Sequence, residues 1–198
     1  MAIPRNLPNW ITGSRLVLAG VVFTLLWLIG TGQDAGANPG GLAAFARGHE
    51  RLLFNVSLAI FTLAGISDVL DGYVARRWGL QTDFGRIVDP FADKVIVCGT
   101  FVLLIPLEGS QVAAWMVVLI LARELLVDGL RGFAESRGIA FPASTSGKAK
   151  MFFQSISLLW VLYALGNQQG VAWAESVGLV LLWLAAIATL ASGLTYLI

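Results

Sequence analysis

A chain of 198 residues that is 57% hydrophobic and 13% charged lies far from the roughly 25% charge of an ordinary soluble domain. Its net charge of +1 gives no ground for a polycationic nucleic-acid binder, and its one cysteine, Cys98, excludes an intrachain disulfide. A mean hydropathy of +0.79 points to an all-α polytopic membrane protein, and the length fits a single domain, 1–198.

Six stretches are long and apolar enough to be read as spans: about 14–31, 53–77, 86–107, 112–133, 148–166 and 172–197. The first, "LVLAGVVFTLLWLIG", is short and is followed by "DAGA", a pattern similar to a signal peptide with an Ala-x-Ala cleavage site. The expectation is nonetheless a retained helix. A Gly-rich external loop, "TGQDAGANPGGLAAFARGHE", follows, with His49 as a solvated loop residue. The second span ends in "SDVLDGYVAR" and the third begins in "GRIVDPFADK", where Pro90 leaves the helix start open. Cys98 reads as a small buried hydrophobe. The seven tryptophans, Trp10, Trp27, Trp78, Trp115, Trp160, Trp173 and Trp183, read mostly as interface anchors.

Six spans put both termini on one side. Arg5, Arg76, Arg77, Arg86, Lys94, Arg131, Arg137, Lys148 and Lys150 fall at or near it, against Arg47 and Arg51 near the other. This Lys/Arg bias predicts that the termini are cytoplasmic.

Charges inside spans cost roughly 2.5 to 3.5 kcal/mol each on insertion scales, so those present call for a purpose. At about 100° per residue, Asp68, Asp71, Gly72 and Ala75 share one helical face, with Arg76 at its edge. Asp89 and Asp93, four apart, share another. A short connecting loop would make the two helices antiparallel neighbours whose acidic faces can meet. Facing carboxylates need intervening cations, and hard ions such as Mg²⁺ take oxygen ligands and substrate phosphates together. Two such ions can clamp a phosphoryl centre. Gly72 and Gly85 would let a bulky ligand approach the backbone, and Arg76 could meet a carboxylate or a phosphate. Taken alone, the same aspartates also suit structural ion pairs or an ion pathway in a transporter.

The string "DVLDGYVARRWGLQTDFGRIVDPFAD", Asp68 to Asp93, resembles the signature of the CDP-alcohol phosphatidyltransferases, Asp-x2-Asp-Gly-x2-Ala-Arg-x8-Gly-x3-Asp-x3-Asp. Every fixed position is met, by Asp68, Asp71, Gly72, Ala75, Arg76, Gly85, Asp89 and Asp93. The resemblance implies six transmembrane helices, a dimer, a site near the cytoplasmic face, and transfer of a phosphatidyl group from a CDP-linked donor with release of CMP; for a bacterial source the membrane would be the inner one. It implies Mg²⁺ or Mn²⁺, two ions, at Asp68, Asp71, Asp89 and Asp93, with Asp93 as general base. "PNWITGSR", Pro8 to Arg15, is similar to the N-terminal juxtamembrane entry of the family's glycerol-3-phosphate branch, which implies a CDP-binding role for Asn9, Thr12 and Arg15 beside Gly72, Ala75, Arg76 and Gly85. "ARELLVDGLRGFAESRGIAFPASTSGKAKMFFQ", Ala122 to Gln154, looks like that branch's second half.

The cations of that second half agree with an anionic acceptor such as glycerol 3-phosphate. Arg123 and Arg131 are eight apart, about 80° around a helix, and Lys148 and Lys150 open the next span. Arginine and lysine bind phosphate as fork and point charge respectively. The acceptor reading of these four is preferred to a positive-inside cluster that only sets topology, because Arg123 lies inside an apolar span, and Arg137 reads as a solvated loop residue. The expected partners are CDP-diacylglycerol, glycerol 3-phosphate and the bilayer. Inositol phosphate as acceptor and an ion-coupled transporter remain the alternatives.

Overall fold

In the computed structural model of the chain, the described residues are 7–78, 83–139 and 145–196, without the side chains of 7–12, 69–78, 83–87 and 89. They form seven helices and divide into two compact units, Met1–Leu107 and Glu108–Ile198.

The first unit holds α1 (Leu7–Asp34), α2 (Gly41–Gly48), α3 (Glu50–Trp78) and α4 (Asp83–Leu104). Helix α1 packs against the other three. Its buried positions are Arg15, Ala19, Val22, Leu26 and Ile29, a stripe with alternating steps of four and three residues that keeps one face on its neighbours. On α3 the buried positions Phe54, Ser57, Phe61 and Ala64 repeat that stepping, and the next step lands on Asp68. On α4, Ile96, Thr100 and Leu104 are buried, and the step back from Ile96 lands on Asp93. The charged residues therefore continue the apolar seams toward one end, because a helical period carries a face past the point where its residues stop being apolar. Buried hydroxyls are satisfied within their own helices: Ser57 Oγ donates to the Leu53 carbonyl at 2.9 Å and Thr100 Oγ1 to that of Ile96 at 2.6 Å.

Gly99 on α4 has no side chain because the Phe23 ring of α1 lies where one would go, its Cε1 2.7 Å from an ideal Cβ. Gly99→Leu is expected to overpack this crossing and destabilise by about 1–3 kcal/mol. A lowered Tm in detergent checks it; an unchanged Tm would mean that the ring simply moves aside.

The stretch expected to be an external loop contains α2. Ala46 is buried against Gly32 of α1, and Arg47 donates to the carbonyls of Gly32 (3.1 Å), Gly36 (3.2 Å) and Ala35. A cation on carbonyls at and just past the end of α1 is favourable both as a hydrogen-bond donor and for the helix dipole. The signal was present in "GLAAFAR" as apolar residues at helical spacing behind Pro39-Gly40, but eight residues are too few to stand out beside true spans. His49 is exposed, caps α2 and stacks on Phe45 with ring centroids 4.4 Å apart.

The second unit holds α5 (Ala114–Ser136), α6 (Thr145–Asn167) and α7 (Ala172–Leu194), with α7 packed on both others. Small residues, Ala174, Gly178, Ala185 and Ala186, line the buried face of α7 and let neighbouring backbones approach. Trp160 lies against Gly178 and donates Nε1–H to the Ala174 carbonyl at 3.0 Å, a packing role where an interface anchor was expected. Helix α5 ends in a Schellman motif: Gly138 has φ 70°, Ile139 N–H reaches the Ala134 carbonyl at 2.9 Å, and Gly138 N–H reaches that of Glu135 at 3.0 Å.

Each of the six expected spans overlaps one long helix, with 86–107 running past the end of α4 at Leu104 and 112–133 starting before α5 at Ala114. Among the described residues, four helical stretches are long and apolar enough to cross a membrane: Gly13–Asp34, Glu50–Asp68, Thr145–Asn167 and Ala172–Leu194. The other two helices are broken by charge, α4 by Arg86, Asp89, Asp93 and Lys94, and α5 by Arg123, Glu124, Asp128 and Arg131. Pro90, left open as a helix start, is exposed within α4, which begins earlier at Asp83.

Candidate active site

In the first unit three long helices bring one charged group each to a common point. Arg15 of α1 is buried, 2% exposed, and its Nη1 meets both the Asp68 carboxylate of α3 and the Asp93 carboxylate of α4, the latter at 3.0 Å. The carboxylates keep 36% and 28% of their side-chain surface, so the cation is interior and the acids face an accessible edge. This places Arg15, expected as a nucleotide ligand, at the junction of the acidic residues.

Two carboxylate oxygens converging on one cationic nitrogen form a hard, oxygen-only donor set of the kind a divalent ion takes. In this structure Arg15 holds that place between the two carboxylates. Among the described residues no group of three metal-ligating side chains gathers. The expected site positions Asp71, Gly72, Ala75, Arg76, Gly85 and Asp89, with Asn9 and Thr12, lie outside the residues whose side-chain surroundings are described.

In the second unit the four candidate acceptor cations separate. Lys150 is 3% exposed, and its ammonium donates to Glu124 Oε1. Arg123 lies 3.3 Å from the same oxygen and 3.4 Å from Oε2, and its Nη2 donates to Ser192 Oγ of α7 at 2.6 Å. Its guanidinium also covers the Tyr196 ring at 5.6 Å, and Gly193 leaves room for its stem, an ideal Cβ there coming within 3.5 Å of Arg123 Cγ. Lys148 is exposed, since two residues along a helix turn a side chain about 200° away from Lys150. Arg131 is half-buried on α5, and Arg137 is exposed beyond its end. Below this cluster Gln154 Nε2 donates to Thr189 Oγ1 at 2.9 Å, so polar groups continue along the α6–α7 seam.

Glu124 was the residue that sequence reasoning left without a role. Its signal was available: an acid beside Arg123 within an apolar stretch, one that could hardly be buried without cationic partners. Its second partner, 26 residues away on another helix, was not legible from spacing.

A family model described as CDP-alcohol phosphatidyltransferase matches residues 5–191. A Rickettsia prowazekii protein named CDP-diacylglycerol–glycerol-3-phosphate 3-phosphatidyltransferase is 34% identical over 198 residues, which cover 99% of this chain and 96% of that one. A Mycoplasma pneumoniae protein of the same name is 38% identical over 162 residues, 78% of this chain and 66% of its own. One from Salmonella typhimurium is 36% identical over 148 residues, 72% and 76% respectively. With a family match over almost its whole length and a relative 34% identical over nearly all of both chains, the chain belongs to the CDP-alcohol phosphatidyltransferases.

Proposed function

We propose that this phosphatidyltransferase moves the phosphatidyl group of CDP-diacylglycerol onto glycerol 3-phosphate, giving phosphatidylglycerophosphate and CMP. The names of its near-full-length relatives support both substrates. The observation that carries the chemistry is the convergence of Asp68 and Asp93 at one cation-holding point.

In this reading an acceptor hydroxyl oxygen attacks the lipid-side phosphorus of the donor. The new P–O bond forms as the bond to the CMP oxygen breaks, and the hydroxyl proton passes to Asp93. Asp68, Asp71, Asp89 and Asp93 would hold Mg²⁺ or Mn²⁺, two ions, which neutralise charge developing on the phosphoryl oxygens. Gly72, Ala75, Arg76 and Gly85, with Asn9, Thr12 and Arg15, serve the CDP moiety. Arg123, Arg131, Lys148 and Lys150 serve the acceptor phosphate. Holding both substrates in line supplies much of the acceleration in such transfers.

The chain works as one domain of 1–198 with six membrane helices, in which α4 and α5 cross as well and bury their charges against protein. The span of the family match supports the single domain. The bias of lysines and arginines to one side supports a cytoplasmic active site, and a bacterial inner membrane is the proposed location. A homodimer completes the proposal.

The test is CMP release by detergent-purified protein given CDP-diacylglycerol, Mg²⁺ and glycerol 3-phosphate. Release that needs this acceptor and stops with EDTA is the expected result. Release only with inositol phosphate would replace the acceptor. No release with any alcohol, together with cation-coupled flux in liposomes, would replace the enzyme by a transporter.

A further inference from the structure

The cations assigned to the acceptor phosphate are not equivalent, and the difference lies in Glu124. Lys150 and Arg123 come from different helices, α6 and α5, and both meet this one buried carboxylate, which is 6% exposed. The Arg123 guanidinium is held a second time by Ser192 of α7. Glu124 therefore joins a fixed arginine to a lysine whose four-carbon stem has no rigid geometry of its own. A lysine ammonium is a point charge, so what it selects depends on where it is held. A carboxylate at hydrogen-bond distance fixes that place.

Resting on the acceptor reading above, we propose that Glu124 is a positioning residue for acceptor specificity: it fixes the Lys150 ammonium, through its own link to Arg123 and Ser192, for an acceptor bearing a phosphate monoester. Two basic groups on one acid leave this trio with a formal charge of 2 − 1 = +1. Such a charge suits a dianionic acceptor better than a neutral polyol. Glu124 touches no substrate and acts through Lys150. Its loss should therefore be felt by the acceptor and not by the CDP-linked donor.

A double-variant cycle on the full-length enzyme tests this. Glu124→Gln is expected to raise the KM for glycerol 3-phosphate about tenfold, within the range shown by coupled neighbours, and to leave the donor KM unchanged. Glu124→Asp, which keeps the charge, should recover most of that loss. In a Lys150→Gln background, Glu124→Gln should add nothing further, because the group through which it acts is gone. This neutral amide pair also serves if Glu124→Gln alone does not fold, for its acceptor KM should equal that of Lys150→Gln. Additive effects in the cycle, or equal increases in both KM values, would make Glu124 a helix fastener and overturn the proposal. A wild-type enzyme silent toward glycerol 3-phosphate but active with another alcohol is a separate failure, seen before any variant is compared. It would remove the acceptor reading and this inference with it.

Discussion

Asp93→Asn is expected to lower kcat for CMP release by about 10²–10⁴-fold, the range that a positioned general base contributes. The substitution keeps the size of the side chain and an oxygen that can accept from Arg15, 3.0 Å away in the native protein, while removing the atom that takes the proton. Asp93 keeps 28% of its side-chain surface at the edge of the cluster, so an acceptor hydroxyl can reach it. The measurement is a pre-steady-state CMP burst and a steady-state rate at saturating donor and acceptor. Turnover near the native rate would take the base role from Asp93. A collapse in donor binding with kcat intact would make it a ligand holder only.

Arg15→Met should give the largest change in stability. The guanidinium is almost wholly buried and answers two carboxylates on two other helices. Removing one partner of a fully buried pair costs about 3–5 kcal/mol. Here the acids are a third exposed and water can screen them, so a loss on the order of 2 kcal/mol is expected. In EDTA this should lower Tm by roughly 4–8 °C for a chain of this size. Added Mg²⁺ should return more of that loss in the variant than it adds to the native protein, since a divalent ion can supply the charge that Arg15 provided. Equal Mg²⁺ shifts in both proteins would mean that Arg15 and the metal do not share the acidic residues.

Part of the local geometry of the candidate site was legible in the chain. Helical period places Asp68 and Asp93 on the continuation of buried stripes, and it puts Lys148 and Lys150 on opposite sides of α6, one exposed and one buried. Composition gave the all-helical membrane class and the positions of the long helices, because an apolar run of span length has few other uses. It did not give α2, which is a short helix folded back on the end of α1.

What the sequence by itself determined is which residues share a face of one helix, since a 3.6-residue repeat is a local rule. Tertiary structure alone decided which faces meet. Arg15 lies 53 residues from Asp68 and 78 from Asp93, and Glu124 finds Lys150 only because α5 and α6 both pack against α7. Nothing in spacing records such pairings. They are set by how apolar and small-residue seams fit together, and the charged groups at the ends of those seams find their partners as a consequence.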